Sequence, residues 1–454
     1  VSLPEGFVTK YTKLLGDEAP AFFASYDAPA GTGFRINPLR PNAKSVNLDL
    51  SDPISYSKWG YRGHVDGNDI DHVSGYVYSQ EPSAQVVGAV ANAQPGTRVL
   101  DLCAAPGGKS THLASAMNNE GLLVANEIHP TRVKVLASNL ERFGVRNAIV
   151  TNTDPDSLAA VLPEFFDMIL VDAPCSGEGM FRKDPDAMQY WHEGYAEECA
   201  QRQREILDAA LLMLKPGGVL VYSTCTFAPE EDEQIAASLM HEHGMQIDPI
   251  DRTDDMRPGH PEWADGTPEL AGTIRMWPQV QRGEGHFCAR LIKPGEPVVA
   301  PTKKGKKGKK QRMNQTSITA EQQQLWREWQ AANLNVTLPG FPVAFGDQLY
   351  MQPAGAPKFG RVKVLRPGLH LGTFKKNRFA PSHSLATALN PEDFKCVIDV
   401  SDDEFRDYRH GLTIARPSLA GKFHVLLTNQ GKSFAIGHLV NGTVKNLYPK
   451  GLRV

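Results

Sequence analysis

Two cysteines that follow apolar runs are the residues best placed to do chemistry. Met168-Ile169-Leu170-Val171 leads into Asp172-Ala173-Pro174-Cys175-Ser176-Gly177, and Val219-Leu220-Val221-Tyr222 leads into Ser223-Thr224-Cys225-Thr226. Short, wholly apolar runs of this kind are expected to be buried parallel strands. In an open parallel sheet, ligands gather outside the carboxyl ends of the strands. Neighbouring strands lie ~4.8 Å apart, so two such thiols can converge on one substrate atom. Thiolates are strong nucleophiles near neutral pH. A free cysteine is more often a small core filler, and Cys199, Cys288 and Cys396 are read that way; Cys175 and Cys225 are not.

A third strand end carries glycines. Leu100-Asp101-Leu102-Cys103-Ala104-Ala105-Pro106-Gly107-Gly108-Lys109-Ser110 leaves a strand and opens a helix. Gly107 and Gly108 let backbone N–H groups approach a ligand at a positive helix end. A P-loop would need glycine where Cys103 stands, and the dinucleotide pattern GxGxxG is not met. What fits is a cofactor without phosphates, with S-adenosylmethionine as the main candidate. The next strand ends at Asn126-Glu127, where an acid is placed to accept from ribose hydroxyls. Asp154, after the run at residues 148–151, could bind an adenine amine. A helix cap or a solvated loop residue is the plainer reading of each acid taken singly.

A thiol beside a methyl donor suits one reaction well. C5 of cytosine is a poor nucleophile, but a thiolate added to C6 turns C5 into an enamine carbon that can attack a sulfonium methyl. Charge then develops on the ring, and a carboxylic acid such as Asp172 could protonate N3. A second thiol could help the C5 proton leave and the C–S bond break. Spacing alone leaves open which cysteine attacks.

The elements that must hold these groups alternate between apolar runs and helical segments, the latter at residues 130–143 and 196–214. This predicts a doubly wound α/β domain, with Lys215-Pro216-Gly217-Gly218 as a helix stop. We expect an N-terminal α/β lead-in over residues 1–75 and a Rossmann-like domain over 76–295. A basic linker over 296–315, a mixed region over 316–385 and a β-rich module over 386–454 follow. The lead-in as a whole is an expected RNA contact, and Arg35-Ile36-Asn37-Pro38-Leu39-Arg40 is its one basic segment. The linker holds Lys303-Lys304-Gly305-Lys306-Lys307-Gly308-Lys309-Lys310-Gln311-Arg312, equally a solvated spacer or a phosphate-binding arm. Residues 321–330 read as a helix. Strand-like runs at residues 433–440 and 443–447 flank Asn441-Gly442, a strong hairpin signal.

At 454 residues the chain needs several cores, and 41% apolar with 22% charged residues is ordinary for a globular protein. A net charge of −3 announces no nucleic-acid binder, so any RNA contact must be local. The six cysteines are scattered, without zinc spacing or a disulfide framework. No signal-peptide pattern or bilayer-length apolar run is evident, so a cytoplasmic protein is expected. The start at Val1 suggests a trimmed beginning.

Taken together, the segments beginning at Leu102, Asp172 and Ser223 resemble the RNA cytosine-C5 methyltransferase family, which includes bacterial ribosomal enzymes and the NOP2/Sun proteins. Glu178-Gly179-Met180-Phe181-Arg182-Lys183-Asp184-Pro185 looks like its RsmF branch, whose members act on small-subunit (16S) ribosomal RNA and end in a PUA-type RNA-binding domain. The resemblance implies that Cys225 is the nucleophile, with Cys175 assisting product release and Asp172 facing both cofactor and base. It implies that Cys103, Ala104, Ala105, Pro106, Gly107, Gly108, Lys109, Glu127, Asp154 and Asp172 line an S-adenosylmethionine pocket. Neither metal nor membrane is implied. Arg182 and Lys183 are expected phosphate contacts. Lys375-Lys376-Asn377-Arg378-Phe379, which interleaves cations with an aromatic, and Tyr448-Pro449-Lys450-Gly451-Leu452-Arg453 are expected RNA surfaces. The rival reading is a non-catalytic ribosome-assembly factor on the same scaffold, which would have no need of Cys175, Cys225 and Asp172.

Overall fold

The computed structural model describes residues 3–296 and 316–454, so the lysine-rich run lies outside the described residues. The central sheet uses the expected runs: β1 Arg98–Asp101, β2 Leu122–Asn126, β3 Ala148–Thr151, β4 Phe166–Asp172 and β5 Leu214–Thr224. It is extended by β6 Ile274–Met276, β7 His286–Ile292 and β8 Val364–Arg366. The order is β6-β7-β5-β4-β1-β2-β3-β8, with Arg257–Pro258 beyond β6. β1 to β5 are parallel, whereas β7 runs antiparallel to β5. This is a Rossmann-like α/β sheet, and its strand order reverses beside β1, where a crevice opens at the carboxyl ends. Apolar side chains on both faces of the sheet are buried in two separate clusters.

Two details were not legible. Lys215-Pro216-Gly217-Gly218 falls inside β5, where the ladder to β4 jumps from Phe166↔Leu214 to Met168↔Val219. The turn is a bulge within the strand. β8 also comes from the region expected to be separate, and its Val364 pairs with Thr151 on the free edge of β3.

The helices that matter for the site are α1 Gly108–Ala116, α2 Arg132–Arg142, α3 Tyr195–Met213 and α4 Glu233–His243. The N-terminal region adds a three-stranded sheet, ordered Gly60–Arg62, Gly33–Ile36, Val77–Ser79. Its helices Glu5–Leu15 and Ala19–Ala24 pack Phe7, Tyr11 and Phe22 against Phe181, Phe227 and Trp277. Behind the sheet region, a five-stranded sheet with helix Ala320–Asn333 buries Trp326 and Trp329. The C-terminal five-stranded sheet holds the expected hairpin, with Asn441 at φ 45° and Gly442 at φ 81°. Both positive angles suit a two-residue I′ turn. This module docks on the N-terminal region through a buried Lys432–Asp71 ion pair and an Arg409 hydrogen bond to Asn68 O at 2.9 Å.

Several expected RNA contacts are corrected by this packing. Arg35 is buried and donates to Gly108 O and Thr111 Oγ1, each at 2.7 Å, so it pins the start of α1. Arg40 is buried against Ser74 O. Arg182 donates to both oxygens of Glu284, at 3.1 Å, and to the carbonyls of Ser25 and Gly283. Its fork is used up inside the protein; Lys183 is exposed. Phe379 is buried among Trp326, Trp329 and Phe374, whereas Lys375, Lys376, Asn377 and Arg378 are exposed. Near the C-terminus Arg453 folds back on Tyr448 O at 3.3 Å, and Tyr448 is buried.

Candidate active site

The glycine turn after β1 is fixed on all sides. Ala104 N donates to Asn126 O at 2.8 Å, Arg132 to Ala105 O at 2.9 Å and Asn139 to Pro106 O at 2.8 Å. Gly107 caps α1 at φ 113°, a conformation closed to most side chains. Three acids converge there: Asp101, Glu127 and Asp172 all act on the Cys103 thiol, which burial, more than any of them, holds above its ordinary range. Burial likewise pushes Asp101 up to about 7; Ser110 donates to its Oδ2 at 2.6 Å, while its Oδ1 is buried with no partner. Glu127 is buried at the end of β2, its Oε1 taken by His129 N at 2.9 Å. Asp154 lies after β3, exposed, and caps a helix through Ser157 N at 2.8 Å. A negatively lined turn of this kind fits a cationic ligand. The sulfonium and ammonium of S-adenosylmethionine match that donor set, and the unmatched Asp101 oxygen adds an acceptor.

Beside the turn, Lys109 leaves the first turn of α1 and meets Asp172 Oδ2 at 2.8 Å, so two of the residues expected to line the cofactor pocket are paired with each other. Ser223 Oγ donates to Asp172 Oδ1 at 2.8 Å. Burial raises Asp172, but Lys109 and then His286 outweigh it and hold the carboxyl below its usual range. Burial opposes the Lys109 charge, yet Asp172 foremost, then Cys225 and Asp101, raise it overall. This pairing favours the carboxylate of Asp172 and the ammonium of Lys109, so that the lysine rather than the acid carries the proton between them.

Two residues beyond Ser223, Cys225 Sγ lies 3.4 Å from Cys175 Sγ, both partly exposed. The hydrogen bond to Cys225, followed by burial, lifts the Cys175 thiol well above its ordinary range. The two sulfurs share one hydrogen bond, and either can be its donor. The sulfurs, the Lys109–Asp172 pair and the glycine turn thus stand at the ends of the adjacent strands β5, β4 and β1, with Cys225 an electrostatic neighbour of Lys109.

Behind them lies a shell that sequence reasoning missed. Thr224 donates to Asp232 Oδ1 at 2.6 Å, and Arg275 pairs with Asp232 at 3.1 Å and with both oxygens of Glu233. Glu231, pushed up to about 7 by burial, accepts from Ser176 N at 3.0 Å and Gln203 at 2.7 Å. Glu178 accepts from Tyr11, Thr226 and Trp191. Gly179 N donates to Cys225 O at 2.9 Å; a Cβ there would sit 2.8 Å from that oxygen. The one available signal was Glu230-Glu231-Asp232-Glu233, an acidic run after an active strand that reads as solvated until the fold buries it.

The family comparisons agree with this geometry. The description "16S rRNA methyltransferase RsmB/F" matches residues 89–292. The N-terminal, first C-terminal and PUA domains of RsmF match residues 3–82, 328–389 and 395–454. Ribosomal RNA small subunit methyltransferase F of Vibrio vulnificus (strain YJ016) is 33% identical over 100% of this chain and 98% of its own. The chain belongs to the RsmF ribosomal RNA methyltransferases. The Aeromonas hydrophila protein of the same name is 34% identical, covering 95% of this chain and 93% of that one. Among solved structures, a methyltransferase homolog protein from Pyrococcus horikoshii superposes with TM-score 0.56 at 28% identity, over 64% of this chain and 95% of that one. The RsmF-type assignment gives the β-rich C-terminus its PUA identity. Among the described residues no His, Cys, Asp and Glu group could hold a metal, and no helix is long and apolar enough to cross a membrane.

Proposed function

We propose that this RsmF-type methyltransferase forms 5-methylcytidine in small-subunit ribosomal RNA, in the cytoplasm, through a covalent bond between Cys225 and C6 of the target base. The observation that carries the reading is the 3.4 Å approach of Cys225 Sγ to Cys175 Sγ, on strand ends adjoining the Lys109–Asp172 pair. The cofactor is S-adenosylmethionine, which supplies an electrophilic methyl group when bound. Residues 103–108, with Asp101, Glu127 and Asp154, are the groups that would hold it.

The remaining work falls to the chain's own side chains. Lys109 is an electrostatic neighbour of Cys225, and the two sulfurs share a hydrogen bond. As Cys225 Sγ bonds to C6, negative charge moves toward N3 and O2, where the Lys109 ammonium can donate. Asp172 keeps that ammonium charged and, with Ser223, aimed. Once C5 has taken the methyl group, its proton must leave so that the electron pair can reform the C5–C6 bond and expel Cys225. That proton passes to solvent, the C–H electron pair becomes the C5–C6 bond, and the C6–S pair returns to Cys225 Sγ, which Cys175 hydrogen-bonds as it departs. A non-catalytic assembly factor has no use for this arrangement.

Bisulfite sequencing of small-subunit RNA, with and without the protein, tests the reading. A single cytosine-sized set of marks that disappears with Cys225→Ala is expected; unchanged marks would sink it. Cys175→Ala should accumulate an RNA–protein adduct, seen as a slow band in denaturing gels.

A further inference from the structure

His286 opens β7 and is 3% exposed, yet its Nε2 has no hydrogen-bond partner. Its surroundings fix which nitrogen carries the proton. Glu81 accepts from Ser83 N, Ala84 N and Glu284 N, and also from the Ser83 hydroxyl. That hydroxyl has one proton, already given to Glu81. Its 2.9 Å contact with His286 Nδ1 must therefore be an Nδ1–H donated to Ser83. In the neutral ring Nε2 is then a bare acceptor. Burial, and after it the Lys109 charge, push His286 down to about 4, so the ring is neutral at any working pH.

The strand register says where this acceptor lies. Phe287 pairs with Thr224 and Cys288 with Ser223. Side chains alternate along a strand, so His286 shares its face with Cys288 and Ser223, the face that holds Asp172. Asp172 and Lys109 are both its electrostatic neighbours. Gly285 N donates to Gly179 O at 3.1 Å, and Gly179 N donates to Cys225 O at 2.9 Å, so one residue separates this corner from the nucleophile.

We propose that His286 Nε2 accepts a hydrogen bond from the exocyclic amine of the target base, making it the residue that tells cytosine from uracil. The assignment rests on the cytosine-C5 reading above. Asp172 is already engaged by Lys109 and Ser223, whereas Nε2 is left empty, and an unmet buried acceptor is costly until a ligand meets it. Cytosine brings an amine to that position. Uracil brings a carbonyl oxygen, which would face a second acceptor, and sites built around one hydrogen bond reject analogues lacking it.

The test uses full-length Cys225→Ala protein, in which binding is non-covalent, and an RNA oligonucleotide spanning the cytosine mapped by bisulfite. That cytosine is replaced by a pyrimidin-2-one nucleoside, which lacks only the amine, or by uridine. With His286 present, loss of the amine should weaken binding roughly three- to tenfold, with uridine weaker still. With His286→Ala added, cytosine and pyrimidin-2-one should bind alike. If that double variant loses cofactor binding, His286→Gln gives the same comparison in a folded protein, where an altered amine penalty is expected. An amine penalty of equal size with and without His286 overturns the assignment. A wild-type protein that leaves no 5-methylcytosine overturns the parent reading instead, before any binding is measured.

Discussion

Two carboxylate–cation sets flank the end of β5, and they are built oppositely. On one face Asp172 meets Lys109, each side chain about one-fifth exposed. On the other Asp232 and Glu233 share Arg275 with almost no exposure at all. The open pair has a carboxyl held low and an ammonium held high, so both are charged and addressable by a substrate. In the closed set burial drives Asp232 well above its usual range in spite of Arg275. Charge that faces the crevice serves chemistry; charge sealed behind it positions Thr224 and hence Cys225.

This contrast can be broken at either end. The largest effect is expected for Cys225→Ala: radiolabelled methyl transfer to RNA should fall by at least about ten-thousandfold, with cofactor affinity by calorimetry nearly unchanged. Arg275→Met comes next. It strands two buried acids and should cost about 3–5 kcal/mol in urea unfolding; a loss below ~1 kcal/mol would mean that the closed set is dispensable. Asp101, also sealed, gives a pH signature. Its folded pKa of about 7 lies above the unfolded value, so its contribution is fully present below pH ~4 and is lost as pH rises through about 7. Asp101→Asn should remove about 2–4 kcal/mol of that pH dependence, read from denaturation at stepped pH. Lys109→Met should lower kcat about a hundredfold, some 2.7 kcal/mol, while changing stability by less than ~1 kcal/mol, because the pair is partly solvated. Smallest of all, Lys183→Ala should leave stability within ~0.5 kcal/mol and lower the salt slope of RNA binding by at most about one ion. The same change at Arg182 should destabilise, since buried Glu284 would lose the guanidinium and keep the Gly31 N–H.

Legibility followed the same division. Strands β1 to β4 were readable because apolar runs bounded by turn residues have few other uses, and both cysteines were found because each stands at such a boundary. The glycine turn was readable for the same reason. Arg182 was misread, and the inward turn of Arg35 and Arg40 was not foreseen, because a guanidinium in sequence says nothing about whether carbonyls and carboxylates will surround it. Phe379 was misread because alternation along a strand does not say which face is outside. Asp101 was passed over although it ends β1 as Asp172 ends β4; the signal was there and went unused.

The sequence by itself determined the sheet, the crevice and the reactive groups placed at its rim, since these follow from hydrophobic periodicity and from glycines that only a tight turn requires. Tertiary structure alone decided partnership: that Asp172 pairs with Lys109, that the sulfurs of Cys175 and Cys225 meet, and that His286 Nε2 is buried with no partner. Those properties depend on burial and on neighbours up to 203 positions apart in the chain, as for Ser83 and His286, and no local pattern carries that information.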